Sequence, residues 1–115
     1  MMLDESAKVA ARAIKLELAV VPEDQRIQGT PRTGTAKLTQ LGDVVIGVWE
    51  MTPGAMRDVE NDEVLTVLSG SANIKFSDGS TLSLAPGDVA RLYAGQQTEW
   101  TVSETLRKVY VSVIR

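Results

Sequence analysis

EVLTVLSGSANIKFSDGSTLSLAPGDVARLYAG, residues 63–95, is the stretch whose reading decides the fold. Short apolar runs at 63–68 (EVLTVL), 71–76 (SANIKF), 81–85 (TLSLA) and 89–93 (VARLY) are cut by Ser69-Gly70, Asp78-Gly79 and Pro86-Gly87-Asp88. Asp78-Gly79 between two such runs signals a hairpin, because glycine accepts the positive φ that a tight reversal requires. Pro86-Gly87 suits the centre of a type II turn for the same reason. The rhythm extends in both directions, with 44–51 (VVIGVWEM) before it and 98–102 (TEWTV) and 106–114 (LRKVYVSVI) after it. Thr52-Pro53-Gly54 and Ala94-Gly95 supply further punctuation. Strands spaced in this way predict an all-β sandwich or barrel.

The first quarter of the chain reads differently. Residues 1–13 are Ala-rich and predict a short helix capped by Asp4 or Ser6. Residues 14–21 (IKLELAVV) set Ile14, Leu16 and Leu18 against Lys15 and Glu17, the alternation of a half-buried strand, and Pro22 ends it. Residues 23–40 are polar and hold Gly29, Pro31 and Gly34, which predicts a surface excursion between sheet elements. No internal repeat or low-complexity tract interrupts the chain. The organisation expected is an N-terminal arm over 1–26, carrying the strand at 14–21, and a β-rich body over 27–115, together one structural domain.

Composition narrows the function. Of 115 residues 43% are apolar, roughly 50 side chains, enough for one buried core. Twelve Lys and Arg against 15 Asp and Glu give a net charge of −3, without the basic stripe that nucleic acid requires. No apolar run approaches the ~18 residues needed to span a bilayer. Asp4 and Glu5 stand where a signal peptide would carry positive charge, so a soluble, cytoplasmic protein is expected. The chain has no Cys and no His. That excludes disulfides, thiolate nucleophiles, iron–sulfur clusters, imidazole bases and nearly every zinc, copper or non-haem iron site, and no cofactor is expected.

In order along the chain, GVWE (47–50), TPG (52–54), EVLTVLSG (63–70), APGDVARLYAG (85–95), TEWTV (98–102) and RKVYV (107–111) resemble the cupin superfamily. More narrowly they are similar to small single-domain cupins related to ureidoglycine aminohydrolase. Glu63 and Gly70 match the glutamate and closing glycine of the first cupin motif, and Gly87 and Gly95 match the ends of the second. The resemblance spans residues 27–113. It implies a cupin jelly-roll (double-stranded β-helix) barrel of two antiparallel sheets, a homodimer, and a ligand pocket inside the barrel. The first motif normally carries His-x-His before its glutamate and the second carries a third His. Those positions fall at Arg57, Val59 and Thr98, so of the usual ligand set only Glu63 remains. Tyr93 stands where a proline is usual.

The individual residues carry alternatives. An inward Glu63 shares its face with Leu65 and Val67, leaving Val64, Thr66 and Leu68 on the other. A buried carboxylate needs a cation or donor, for which Arg57 and Lys108 are the candidates. The run 58–63 holds Asp58, Glu60, Asp62 and Glu63 and reads as a solvated acidic loop. An EF-hand would need Gly at Glu63 and Glu at Ser69. Trp100 shares strand parity with Thr98 and either lines a pocket or fills the core. Trp49 lies in a run apolar on both faces, which predicts a doubly buried strand at a dimer contact. Arg91 reads as an exposed strand residue. In the last strand, periodicity turns Val109, Val111 and Val113 inward and Lys108 and Tyr110 outward, whereas the resemblance implies Lys108 inward. An inward Lys108 with Tyr110 places an ammonium and a phenol near Glu63, suited to holding a carboxylate or moving a proton.

The candidate pocket residues are therefore Glu63, Lys108, Arg57, Thr98, Trp100 and Tyr110, with no catalytic residue and no metal ligand assigned. Three functions follow: a binder of a small polar metabolite without a His-ligated metal; a divergent enzyme, either a ureide or amide hydrolase or a metal-free isomerase or lyase using Glu63 and Lys108; or a dimeric structural or regulatory partner. The last would have its barrel filled by Met51, Leu65, Val67 and Trp100.

Overall fold

Turn chemistry is the first feature that carries over into three dimensions. In the computed structural model, which describes Leu3 and residues 8–114, Asp78 Oδ1 accepts hydrogen bonds from the Ser80 amide at 2.8 Å and hydroxyl at 2.6 Å. Gly79 sits at φ 87° between them. These bonds, the hydroxyl's foremost, hold the exposed Asp78 carboxyl below the usual aspartate range. The Pro86-Gly87 turn closes through the Asp88 N–H to the Ala85 carbonyl at 3.0 Å, with Gly87 at φ 91°.

Nine strands and no helix occur among the described residues: β1 (Ala19–Val20), β2 (Arg26–Gln28), β3 (Arg32–Leu41), β4 (Val44–Met51), β5 (Gly54–Val59), β6 (Glu63–Phe76), β7 (Thr81–Leu84), β8 (Val89–Leu92) and β9 (Gln97–Val113). Every pairing is antiparallel. β9 is the spine: one edge pairs first with β5 and then with β4, and the other pairs with β6 along nearly its whole length. The ladders break along one line, at Thr52-Pro53, at residues 68–71 of β6 and at 103–105 of β9. Gly70 makes that line tight, because at φ 82° a Cβ there would collide with the Thr105 carbonyl. Folding along it yields two sheets. One is ordered β1-β3-β4-β9-β6-β8 and the other β2-β5-β9-β6-β7, with β6 and β9 contributing a half to each. This is the expected jelly-roll barrel.

Met51, Leu65, Val67, Ile74, Leu84, Leu92, Trp100, Val102 and Leu106 fill the space between the sheets. Leu65 and Val67 are buried while Val64 is exposed, the alternation expected of an inward Glu63.

Several expectations are corrected. Of residues 14–21 only Ala19–Val20 is strand. The preceding chain crosses the outer face of the first sheet, where the Arg107 guanidinium donates to the Ala11 and Ile14 carbonyls and pairs with Glu50 at 2.8 Å. These tertiary bonds take the place of a strand ladder. The helix expected over 1–13 is a turn at 11–13 in its described part, and Asp4 and Ser6 lie outside the described residues. Residues 23–40 hold β2 and most of the ten-residue β3 instead of a surface excursion. Thr33, Thr35 and Thr39 favour the extended chain, which pairs with β4 on one edge and with the two-residue β1 on the other. β5 follows Thr52-Pro53 directly, inside a region read as turn and loop. The runs at 63–68 and 71–76 are one strand, as are those at 98–102 and 106–114, because Ser69-Gly70 marks a bend and not a reversal.

Candidate functional site

At one end of the barrel the packing stops short and leaves a cleft of about 270 Å³. Its walls come from Thr35 of β3, Trp49 of β4, the loop after β5, Glu63 at the start of β6, and Trp100, Lys108, Tyr110 and Ser112 of β9. Register places them there. Lys108 lies opposite Trp49 on one side and Val67 on the other, both facing inward, so Lys108 must face inward too.

The Lys108 ammonium reaches Glu63 Oε2 at 2.7 Å, with the two side chains only 7% and 11% exposed. Its Nζ also stands 4.8 Å from the ring centroids of both Trp49 and Trp100. Those rings meet edge to face, centroids 5.5 Å apart at 61°. One carboxylate and two aromatic faces therefore hold this cation, each face adding ~0.5–2 kcal/mol. Periodicity alone had turned Lys108 and Tyr110 outward. The structure reverses this, leaving Val109 and Val113 half-buried and Val111 exposed on the outer surface. Trp49, expected at a dimer contact, faces into the barrel.

Tyr110 lies across Gly47, its partner on β4, where any Cβ would collide with the phenol. Its hydroxyl is 3.0 Å from Thr35 Oγ1, which itself donates to the Val48 carbonyl at 3.1 Å. With the Thr35 proton so engaged, the phenol donates to Thr35.

The acidic run is not a solvated loop. Glu60 is 6% exposed, and its Oε2 accepts from Thr98 Oγ1 at 2.6 Å and from Trp100 Nε1 at 2.9 Å. Main-chain bonds between Glu60 and the 95–96 turn fix the loop so that this side chain turns inward. Asp58 is half-buried, and its carboxyl is pushed above the usual aspartate range by burial first and then by the charge of Glu60. Only Asp62 turns away, accepting from Arg91 at 3.3 Å and from the Ala94 amide. Arg91 is exposed as expected and stacks on Tyr93, 3.9 Å from its centroid.

Of the six candidate residues, Glu63, Lys108, Trp100 and Tyr110 meet in the cleft. Thr98 is buried beside it as the support of Glu60. It also borders a second hollow of about 320 Å³, lined by Asp24, Arg57, Phe76 and Glu99 among others, with Asp58 and Val59 as the shared partition. Arg57 is separate: its guanidinium donates to the Asp24 carbonyl at 3.1 Å, and the cation paired with the Glu63 carboxylate is Lys108. Sequence reasoning missed Glu60, Asp58 and Thr35 as lining groups. Trp49 was recoverable, because Val45, Gly47, Trp49 and Met51 share one face of β4.

The residues at the metal-ligand positions do not fit a metal ion. Arg57 points away, Val59 is 63% exposed, and Thr98 is bonded to Glu60. The Glu63 carboxylate is already occupied by the Lys108 ammonium. Among the described residues no three His, Cys, Asp or Glu side chains group closely enough to hold a metal.

A two-sheet jelly roll with its cleft between β4, β6 and β9 is the architecture of a cupin. The chain belongs to the EutQ-like cupin domain family, whose model matches residues 38–110. Among solved structures it is similar to the EutQ protein of Clostridium difficile, at 21% identity and TM-score 0.74, covering 93% of this chain and 86% of that one. A putative ethanolamine utilization protein q from Salmonella typhimurium matches at 16% identity and TM-score 0.65, covering 86% and 97%. A protein of unknown function from Pseudomonas syringae of the DUF861 family matches at 24% identity and TM-score 0.74, covering 87% of this chain and 45% of that one. At these identities the likeness concerns the fold. No curated protein sequence matches. No helix among the described residues is long and apolar enough to cross a membrane.

Proposed function

We propose that this EutQ-like cupin binds a small polar metabolite in the cleft, between the Glu63–Lys108 pair and the wall formed by Trp49, Trp100 and Tyr110. Histidine takes no part, since the chain has none. The observation that carries the reading is a charge pair at 7% and 11% side-chain exposure on the floor of an open cleft. Well-packed apolar side chains would serve stability as well or better, so a buried pair beside an accessible hollow points to a site in use. A completely filled barrel would have favoured the partner-domain reading. Met51, Leu65 and Val67 do pack the interior, but the end bearing Glu63 stays open.

The test is a thermal-shift screen against amines, amino acids, short carboxylic acids, ureides and sugars, with ethanolamine included after the name of the Salmonella relative. A ligand at ~100 times its dissociation constant adds about 2.7 kcal/mol. That shift should shrink in a Glu63→Met/Lys108→Met double variant. Silence across the panel, or a shift undiminished in the double variant, would sink the reading.

The 2.7 Å contact also supports a second reading, in which Glu63 and Lys108 act as acid and base in a hydrolase of small ureides or amides, or in an isomerase or lyase. Turnover of a screened ligand, abolished by Glu63→Gln, distinguishes it from binding alone. For quaternary structure we propose a homodimer through the outer face of the first sheet, where Val64, Val89 and Val111 lie exposed on neighbouring strands.

A further inference from the structure

Three carboxylates line the cleft, and their circumstances differ. Glu63 is neutralised by Lys108, and Asp58 is only half-buried. Glu60 is 6% exposed, yet neither of its hydrogen-bond partners carries a charge. Both donors, the Thr98 hydroxyl and the Trp100 indole, converge on Oε2. Oε1 accepts no hydrogen bond from a described residue, and no buried side-chain oxygen is left without a partner. Oε1 therefore keeps access to open space, and the cleft is the hollow that Glu60 lines. A glutamine would satisfy Thr98 and Trp100 equally well, so structure alone gives no reason for a charge here.

We propose that Glu60 Oε1 is the anchor for a cationic N–H group of the ligand, with Thr98 and Trp100 as positioning residues, so that the cleft selects small primary amines. The inference rests on the cleft being a binding site and narrows what it takes. Charge agrees: Asp58, Glu60 and Glu63 face the cleft against Lys108 alone. The Trp49 and Trp100 faces are already engaged by the Lys108 ammonium. Recognition therefore runs through hydrogen bonds to Glu60 and not through an aromatic cage, which favours an ammonium that can donate over a quaternary one. The cleft's small volume and the Thr35, Tyr110 and Ser112 hydroxyls suit a short ligand with a polar tail.

The test follows the two indole N–H signals by NMR while the protein is titrated with ethylammonium, tetramethylammonium or acetate at constant ionic strength. Ethylammonium should shift the Trp100 signal saturably, and tetramethylammonium should bind at least ~10-fold more weakly. Glu60→Gln keeps the shape and an acceptor for both donors, presents an amide to the cleft, and should weaken ethylammonium by ~10-fold to ~100-fold. If that variant fails to fold, Thr98→Val, which removes one of the two donors positioning Glu60, should also weaken ethylammonium. Equal response to both cations, or undiminished affinity in the variant that folds, would overturn the proposal. Acetate binding that is lost in Glu63→Met/Lys108→Met but indifferent to Glu60→Gln would overturn it while leaving the cleft a binding site. A cleft that binds none of the three probes and no panel compound would overturn both readings.

Discussion

Removing either member of the Glu63–Lys108 pair alone should damage the protein far more than removing both. Glu63→Gln leaves an ammonium at 7% exposure facing two rings and without the carboxylate it contacts, Asp58 and Glu60 standing further along the cleft. Breaking a buried pair from one side costs about 3–5 kcal/mol. The unfolding entropy expected of 115 residues is ~0.24 kcal/mol/K, so such a loss lowers Tm by about 12–20 °C. Lys108→Met strands the carboxylate instead and should fall in the same range. The Glu63→Met/Lys108→Met double variant buries two flexible apolar chains against Trp49, Trp100 and Leu65 and should recover to within about 1 kcal/mol of wild type or exceed it. Urea denaturation of wild type, Glu63→Met, Lys108→Met and the double variant at neutral pH closes the cycle, and the coupling energy should exceed about 2 kcal/mol. A coupling below about 0.5 kcal/mol, the range of exposed pairs, would show that water screens this contact and would remove the ground for calling it a buried charge pair.

Asp58 supplies a pH signature. Its carboxyl is raised in the folded state, so the folded protein binds this proton more tightly than the unfolded chain, and stability falls as pH rises from about 3.8 through the raised value. Asp58→Asn keeps an acceptor for the Val59 amide and should raise Tm at neutral pH, with the gain fading towards pH 3.5; a gain independent of pH would refute the cause. Gly47→Ala should push the Tyr110 ring off β4 and break its contact with Thr35, costing roughly 1–3 kcal/mol and changing the tyrosine's NMR shifts. An unshifted Tyr110 would show that the ring does not lean on Gly47. Light scattering should find a dimer that Val64→Lys or Val111→Lys converts to monomer without loss of fold, and a wild-type monomer at micromolar concentration would dispose of the interface.

Much of the fold was legible locally. Glycine at Gly79 and Gly87 permits reversals that other residues resist, and both turns stand where they were read. Alternation correctly grouped Glu63 with Leu65 and Val67, and Thr98 with Trp100, because successive side chains in a strand must point to opposite faces. The absence of His, which removes imidazole from the candidate ligands and bases, is legible without any structure. What alternation cannot say is which face is the inside. Val109, Val111 and Val113 form the more apolar row of β9, yet they lie outward, because pairing with Trp49 and Val67 turns Lys108 into the barrel. Arg107 likewise becomes buried only because the N-terminal segment crosses over it. Glu60 was hidden for a related reason: its partners Thr98 and Trp100 are 38 and 40 residues distant, and no local pattern marks a loop carboxylate for burial. Arg57 and Lys108 were equal candidates for Glu63 in the sequence, and only the path of β5 beside the first half of β9 carried Arg57 away to Asp24. Local sequence determined the strands' faces and turns, since those depend on neighbours in the chain. The tertiary structure decided which charges share the cleft, since that depends on strand pairing and on what covers each outer face.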